Sequence, residues 1–132
     1  VRIVIDSNVL IAAFATRGLC HEVFEAALGN CDIILSEDIL LEVKTKLTGK
    51  LKVPKKQADE VADYLRESCK IARFRKTGSV CRDKKDNHVL WLAESNTVSY
   101  IVSGDKDLTL MRSSGRVKII SPRGFWEILS KK

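Results

Sequence analysis

The chain opens on VRIVID, a β-branched run that stops at an aspartate and passes without a break into SNVLIAAF. A continuous apolar run closed by small polar residues is the pattern of a strand buried on both faces, as in a parallel sheet, feeding a helix. Asp6 then stands at the carboxyl end of that strand, where open α/β sheets hold their ligands, with Ser7 and Asn8 directly after it. The pattern recurs at 99–103, SYIVS, which is followed by Gly104, Asp105, Lys106 and Asp107. Two more runs of the buried type lie at 32–35, DIIL, and 117–120, VKII. Few folds accept such strands except a parallel sheet covered by helices on both faces.

The segments between the strands read as helices. A short helix is expected at 8–14 and a second at 19–28, with Gly18 and then Gly29-Asn30 marking its ends. Ser36 reads as an N-cap, with Leu35 and Leu40 placed to pack across it. The helix at 37–47 should bury Ile39, Leu40, Val43 and Leu47. Residues 49–54 read as a loop, and 55–69 as a helix with Ala58, Val61, Ala62, Leu65 and Cys69 on one face. KIARF, at 70–74, suits a short edge strand before a turn at Gly78. Residues 83–96 should form a helix that Asp83 caps, with Asp86 in its first turn and Val89, Leu90, Leu92 and Ala93 inward. Asp107 can cap a short helix at 108–111, and Ser121-Pro122 starts a terminal one.

Four acids occupy comparable places at strand ends and helix starts: Asp6, Glu42, Asp86 and Asp105. Glu42 lies at the edge of the apolar stripe of its helix, and the alternative reading pairs it with Lys46 one turn on. In an alternating β/α chain the strand ends converge on one edge of the sheet, which brings these carboxylates together. At about 4 Å each pair repels by roughly 4 kcal/mol at an effective dielectric of about 20. Protons or cations must neutralise such a group. Ligands that are all oxygen favour Mg²⁺ or Mn²⁺ over zinc. Ions held this way activate water and stabilise a leaving oxygen in phosphodiester hydrolysis, and no histidine or serine is placed for a triad.

Composition narrows the partners. At 132 residues and 45% apolar, the chain suits one globular domain with a real core. No apolar run approaches the roughly 18–20 residues of a membrane span, and no basic leader precedes an apolar stretch, so a cytoplasmic protein is expected. Cys20, Cys31, Cys69 and Cys81 have no metal-ligand spacing and read as reduced thiols. The adjacent Cys20 and His21 would point about 100° apart on a helix, which rules them out as a ligand pair. The formal charge is +6, concentrated in two segments. Lys44, Lys46, Lys50, Lys52, Lys55 and Lys56 form the first, without an acid among 43–58. Arg73, Arg75, Lys76, Arg82, Lys84 and Lys85 form the second, interrupted by Asp83 alone. Either is a solvated surface or a track for a nucleic-acid backbone, with Lys50, Lys52 and Lys55 as candidate RNA contacts.

The segments IVIDSNVLIAA, LSEDILLEV, DKKDNHVLWLA and YIVSGDKDL, in that order, resemble the PIN-domain ribonucleases, and among them the VapC-like toxins of toxin–antitoxin pairs. The likeness extends to the final VKIISPRGFWEIL. It implies an α/β fold, a PIN-like three-layer α/β/α sandwich with a central, mostly parallel sheet. It also implies a Mg²⁺- or Mn²⁺-dependent endoribonuclease, often a homodimer, with an antitoxin as partner. The family's four acids match Asp6, Glu42, Asp86 and Asp105. Asn8 matches a small polar position, and Asp83 and Asp107 match frequent secondary acids, Asp107 as a further ligand. Ser7 and Ser103, beside two of the acids, are candidate supports of the site.

Two rivals share parts of this pattern. A haloacid-dehalogenase-like phosphatase also begins strand-Asp-x-Asp, but its general acid would fall on Asn8. A binding module of the same fold, holding RNA or a protein without cutting, would keep the acids. A PIN nuclease of RNA processing or maturation would also carry the same four.

Overall fold

The computed structural model describes residues 1–131. Six strands form one sheet: β1 (Arg2–Ile5), β2 (Asp32–Leu35), β3 (Lys70–Ile71), β4 (Tyr100–Val102), β5 (Ser113–Ser114) and β6 (Val117–Ile120). Their order is β3-β2-β1-β4-β6-β5. Every pairing is parallel except that of β5 with β6. Ile3, Val4 and Ile5 are each 0% exposed, although successive residues of a strand face opposite ways. Both faces of β1 are therefore covered, as its unbroken apolar run requires.

The helices are α1 (Ser7–Ala15), α2 (Leu19–Asn30), α3 (Glu37–Gly49), α4 (Lys55–Ser68), α5 (Asn87–Ser95), α6 (Lys106–Thr109) and α7 (Pro122–Ser130). Packing runs as a series from α7 through α2, α1 and α3 to α4, while α5 lies on β1 and β4. The result is the expected mostly parallel sheet flanked by helices. No helix among the described residues is long and apolar enough to cross a membrane.

The chain leaves β1 toward β2 and β3 on one side, then returns to β4 and β6 on the other. The sheet order thus reverses between β1 and β4, and a crevice opens at their carboxyl ends. Asp6 extends the ladder there, its N–H donating to Val102 O at 3.0 Å.

Several boundaries differ from expectation. The first helix starts at Ser7, because Asp6 is its N-cap and accepts the Ser7 N–H. The second runs through Gly29 to Asn30, with Cys31 as its C-cap, and the third continues past Leu47 to Gly49. KIARF contributes only a two-residue strand. The helix expected from Asp83 begins instead as a 3-10 turn at Lys84–Asp86, where Asp83 accepts the Lys85 N–H; the α-helix follows from Asn87. The helix assigned to Asp107 as cap starts at Lys106, and its cap is Asp105. An antiparallel edge strand, β5, had no counterpart in the sequence reading. It follows Arg112 at φ 62° and precedes Gly115 at φ 61°, two left-handed residues that fold the chain back on β6. Ser36 does cap α3, accepting the Ile39 N–H at 3.1 Å, with Leu35 and Leu40 buried on either side.

Candidate metal centre

Asp6 is the most buried of the acids, at 3% exposure. Its two oxygens are fixed from β1's own end and from β4: Oδ1 accepts the Ser7 N–H at 2.8 Å and Oδ2 accepts the Ser103 hydroxyl at 2.9 Å. Ser103 Oγ in turn accepts the Asp105 N–H at 3.0 Å, and Asp105 Oδ1 accepts the Asp107 N–H at 2.8 Å. Two serines and three aspartates thus tie the ends of β1 and β4 into one hydrogen-bonded run. Burial pushes the Asp6 carboxyl above its ordinary value, against the two bonds that favour its charge.

Asp86 reaches this run from the start of α5. It occupies the N-cap position yet caps nothing, since its side chain makes no cap bond there. Burial, the interaction with the Asp105 carboxyl and the nearby charges of Asp6 and Asp83 push its pKa up to about 7. Asp83, Asp86 and Asp107 place one carboxylate oxygen each within 4.8 Å of one another. Asp86 Oδ2 is buried with no hydrogen-bond partner among the described residues. A divalent cation would supply what this oxygen lacks, and the donor set, oxygen throughout, matches a hard ion such as Mg²⁺ or Mn²⁺.

Glu42 joins the group from α3 by a different route. Its charge acts on Asp6 through space. Its partner is not Lys46, as the sequence allowed, but His88 on α5: Nε2 lies 3.2 Å from Oε2. Burial alone would raise the Glu42 carboxyl, but the bond and charge of His88 hold it below its ordinary value. Burial would likewise lower His88, and Glu42 holds it above. Lys46 Nζ instead donates to Asn8 Oδ1 at 3.0 Å, and its charge favours the ionised forms of both Asp6 and Glu42.

The structure therefore ties Asp6 to Asp105 through Ser103 and sets Asp86 in their field, but of the four expected acids only Asp86 stands, with Asp83 and Asp107, in a group of carboxylates within 4.8 Å of one another among the described residues. Glu42 stands at the margin, turned to a histidine. Lys50, Lys52 and Lys55 are exposed, on and beyond the last turn of α3. At about 1.5 Å per residue, Lys50 lies roughly 12 Å along that helix from Glu42. His88 escaped the sequence reading because nothing in the local pattern links it to Glu42 on another helix. A signal for Lys46 existed, since i,i+4 spacing puts it on the Glu42 face. A cavity of about 480 Å³ opens at the other end of the strands, beside Val1, Ser99, Tyr100 and Lys118, away from the acids.

Comparison with known proteins agrees with this architecture. The chain is similar to the VapBC2 structure from Rickettsia felis, bound to a DNA fragment from their promoter, at 12% identity and a TM-score of 0.68 over 92% of this chain and 98% of that one. It is similar to PAE2754 from Pyrobaculum aerophilum at 16% identity and a TM-score of 0.66 over 100% of this chain and 91% of that one. No match was found among curated proteins. The sequence model of the PIN domain matches residues 2–107, from β1 through the acids to Asp107, and the chain belongs to the PIN-domain family.

Proposed function

We propose that the chain is a divalent-metal-dependent endoribonuclease, the toxin of a toxin–antitoxin pair. The observation that carries this reading is the crowding of Asp83, Asp86 and Asp107 within 4.8 Å of one another, with one oxygen of Asp86 buried and unpartnered. Membership of a family whose members are generally nucleases supports it, as does the likeness to VapBC2. In this reading Asp6, Glu42, Asp86 and Asp105 hold the metal, with Asp107 as a further ligand and Asp83 beside it. The bound ion would supply an activated water and stabilise the leaving oxygen.

The chain's own residues do the rest. Ser7 and Ser103 fix both oxygens of Asp6, so that little reorganisation is left to the reaction. Asp86, pushed up to about 7, shares protons with its neighbours near neutral pH, and that proton leaves when a cation takes its place. Lys46, bonded to Asn8 at the rim, keeps two further N–H donors for a backbone phosphate. Lys50, Lys52 and Lys55 contact the RNA backbone farther out. An antitoxin chain and a second copy of the protein are the partners this reading carries.

A binding module of the same fold is the second reading, favoured by one observation: His88 holds Glu42 in an ion pair. Incubation of a pooled RNA substrate with Mn²⁺ or Mg²⁺ separates the two. Cleavage that disappears in Asp105→Asn supports the nuclease. RNA that is bound but left intact with either ion gives the module. A processing nuclease is distinguished by growth: induction of a toxin arrests the host, and its cognate antitoxin restores growth.

A further inference from the structure

We infer that residues 73–85 form a rigid basic rail that feeds single-stranded RNA to the acids, an assignment that rests on the nuclease reading but concerns binding. The segment carries Arg73, Arg75, Lys76, Arg82, Lys84 and Lys85, all exposed, against Asp83 alone. A charge run of this kind is usually a mobile loop. Here α5 staples it along its length. At the helix's carboxyl end, Asn96 Nδ2 donates to Arg73 O at 3.0 Å, and Ser95 Oγ both accepts the Arg75 N–H at 3.0 Å and donates to Arg75 O at 3.3 Å. In the middle, Glu94 accepts the hydroxyls of Thr77 and Ser79, and Trp91 Nε1 donates to Ser79 O at 2.9 Å. At the amino end, Asn87 Oδ1 accepts the Cys81 N–H at 2.6 Å.

These bonds use backbone and hydroxyl groups and leave the cationic side chains outward. The segment therefore runs antiparallel to α5 from Ser95 to Asn87, a length of about 12 Å at roughly 1.5 Å per residue. Its far end is the acid cluster. Arg82 Nε lies 3.9 Å from Asp107 Oδ1, Cys81 Sγ bonds Asp107 O at 3.4 Å, and Asp83 is one of the three crowded acids. Lys76 stands 5.7 Å over the Trp91 ring, which holds its charge near the helix.

A line of cations on a fixed backbone, ending at the acid cluster, fits a polyanion whose next phosphate meets the metal. At about 3.4 Å per stacked nucleotide the rail spans roughly three to four phosphates. The first basic segment offers less to that strand, because Lys44 is held by Asp59 at 3.1 Å and Lys50 to Lys56 lie beyond the end of α3. Those lysines hold flanking nucleotides.

The test measures binding of a fluorescein-labelled oligoribonucleotide of about eight nucleotides across a salt series, on the Asp105→Asn background so that the strand persists. Joint replacement Arg73→Gln, Arg75→Gln, Lys76→Gln removes charge and keeps the staples, which are made by the backbone. The slope of log K against log salt should fall by about 2, at roughly 0.7 per single-strand contact, with affinity down about tenfold to a hundredfold. The corresponding Lys50, Lys52, Lys55 variant should lose less than half as much on so short a strand. Ser95→Ala keeps every cation and should still weaken binding by about threefold, because the rail is then less ordered before RNA arrives. An unchanged slope in the rail variant, or the larger loss in the Lys50 set, overturns the assignment, whether or not the unmutated chain cuts. Polyglutamate bound as tightly as RNA, and released by the same three replacements, would assign the rail to an acidic protein segment instead. Failure of the nuclease reading shows separately, as intact RNA on a working rail.

Discussion

His88 Nε2 lies 3.2 Å from Glu42 Oε2, an ion pair between α5 and α3 across the mouth of the acid cluster. The pair links the two helices that supply acids from outside the strand ends. It also occupies a carboxylate that the metal reading needs. Its energetic sign with pH follows from the direction of each shift.

Glu42 sits below its ordinary 4.5, so its contribution is full above that value and disappears as pH falls through the folded pKa. His88 sits above its ordinary 6.5, so its contribution is full below that value and disappears as pH rises through the folded pKa. The pair therefore stabilises most between pH 4.5 and 6.5. In a chelator, His88→Gln should be less stable than the parent by about 1 kcal/mol inside that window and by less on both sides. Urea unfolding at a series of pH values measures it, and a difference that stays flat from pH 4 to 9 would assign His88 to packing.

Asp86 behaves in the opposite sense. Its folded pKa of about 7 lies above the ordinary 3.8, so stability falls as pH rises through that interval and the full penalty remains above it. Without metal, Asp86→Asn should be more stable than the parent at pH 8 by about 1–2 kcal/mol, allowing for solvent screening, with no gain below pH 3.8. Added Mn²⁺ should reverse the order at pH 8, because only the parent gains from the ion. Thermal melts with and without the ion provide the measurement.

Lys46→Met removes a cation that favours ionised Asp6 and Glu42. Mn²⁺ should then bind a few-fold more tightly by calorimetry, since lysine and metal compete for the same field. Cleavage at saturating RNA should fall by about tenfold or more, because a donor to the phosphate is gone. Weaker metal binding together with a lower melting temperature would make Lys46 a structural tie to Asn8 instead.

Asp105→Asn keeps the cap of α6, because an asparagine oxygen can accept the Asp107 N–H as the aspartate does. Stability should change by less than about 1 kcal/mol while metal-dependent cleavage falls by at least about a hundredfold. A variant that cuts as fast as the parent removes Asp105 from the site.

The sequence made the framework legible because its strands are buried on both faces, and an apolar run like VRIVI has few other uses. The aspartates at strand ends were legible for the same reason: Asp6 and Asp105 stand where the run stops. Contacts between helices were not. Glu42 showed only its own helical neighbours, so Lys46 was weighed as its partner while the actual one, His88, lay on another helix. The order of 73–85 was hidden likewise, because the composition reads as a charged loop and the bonds that fix it come from Asn87, Trp91, Glu94 and Ser95. The edge strand β5 depends on Arg112 in a left-handed conformation, which arginine composition does not signal.

The hydrogen bond from Ser103 to Asp6 joins residues 97 positions apart. β1, at the centre of the sheet, therefore depends on a neighbour, β4, that comes much later in the chain. Such distant pairing is slow to form. It also sets when the acids can meet: a sheet built only as far as β3 holds Asp6 and Glu42, but neither Ser103 nor Asp105 is yet beside them.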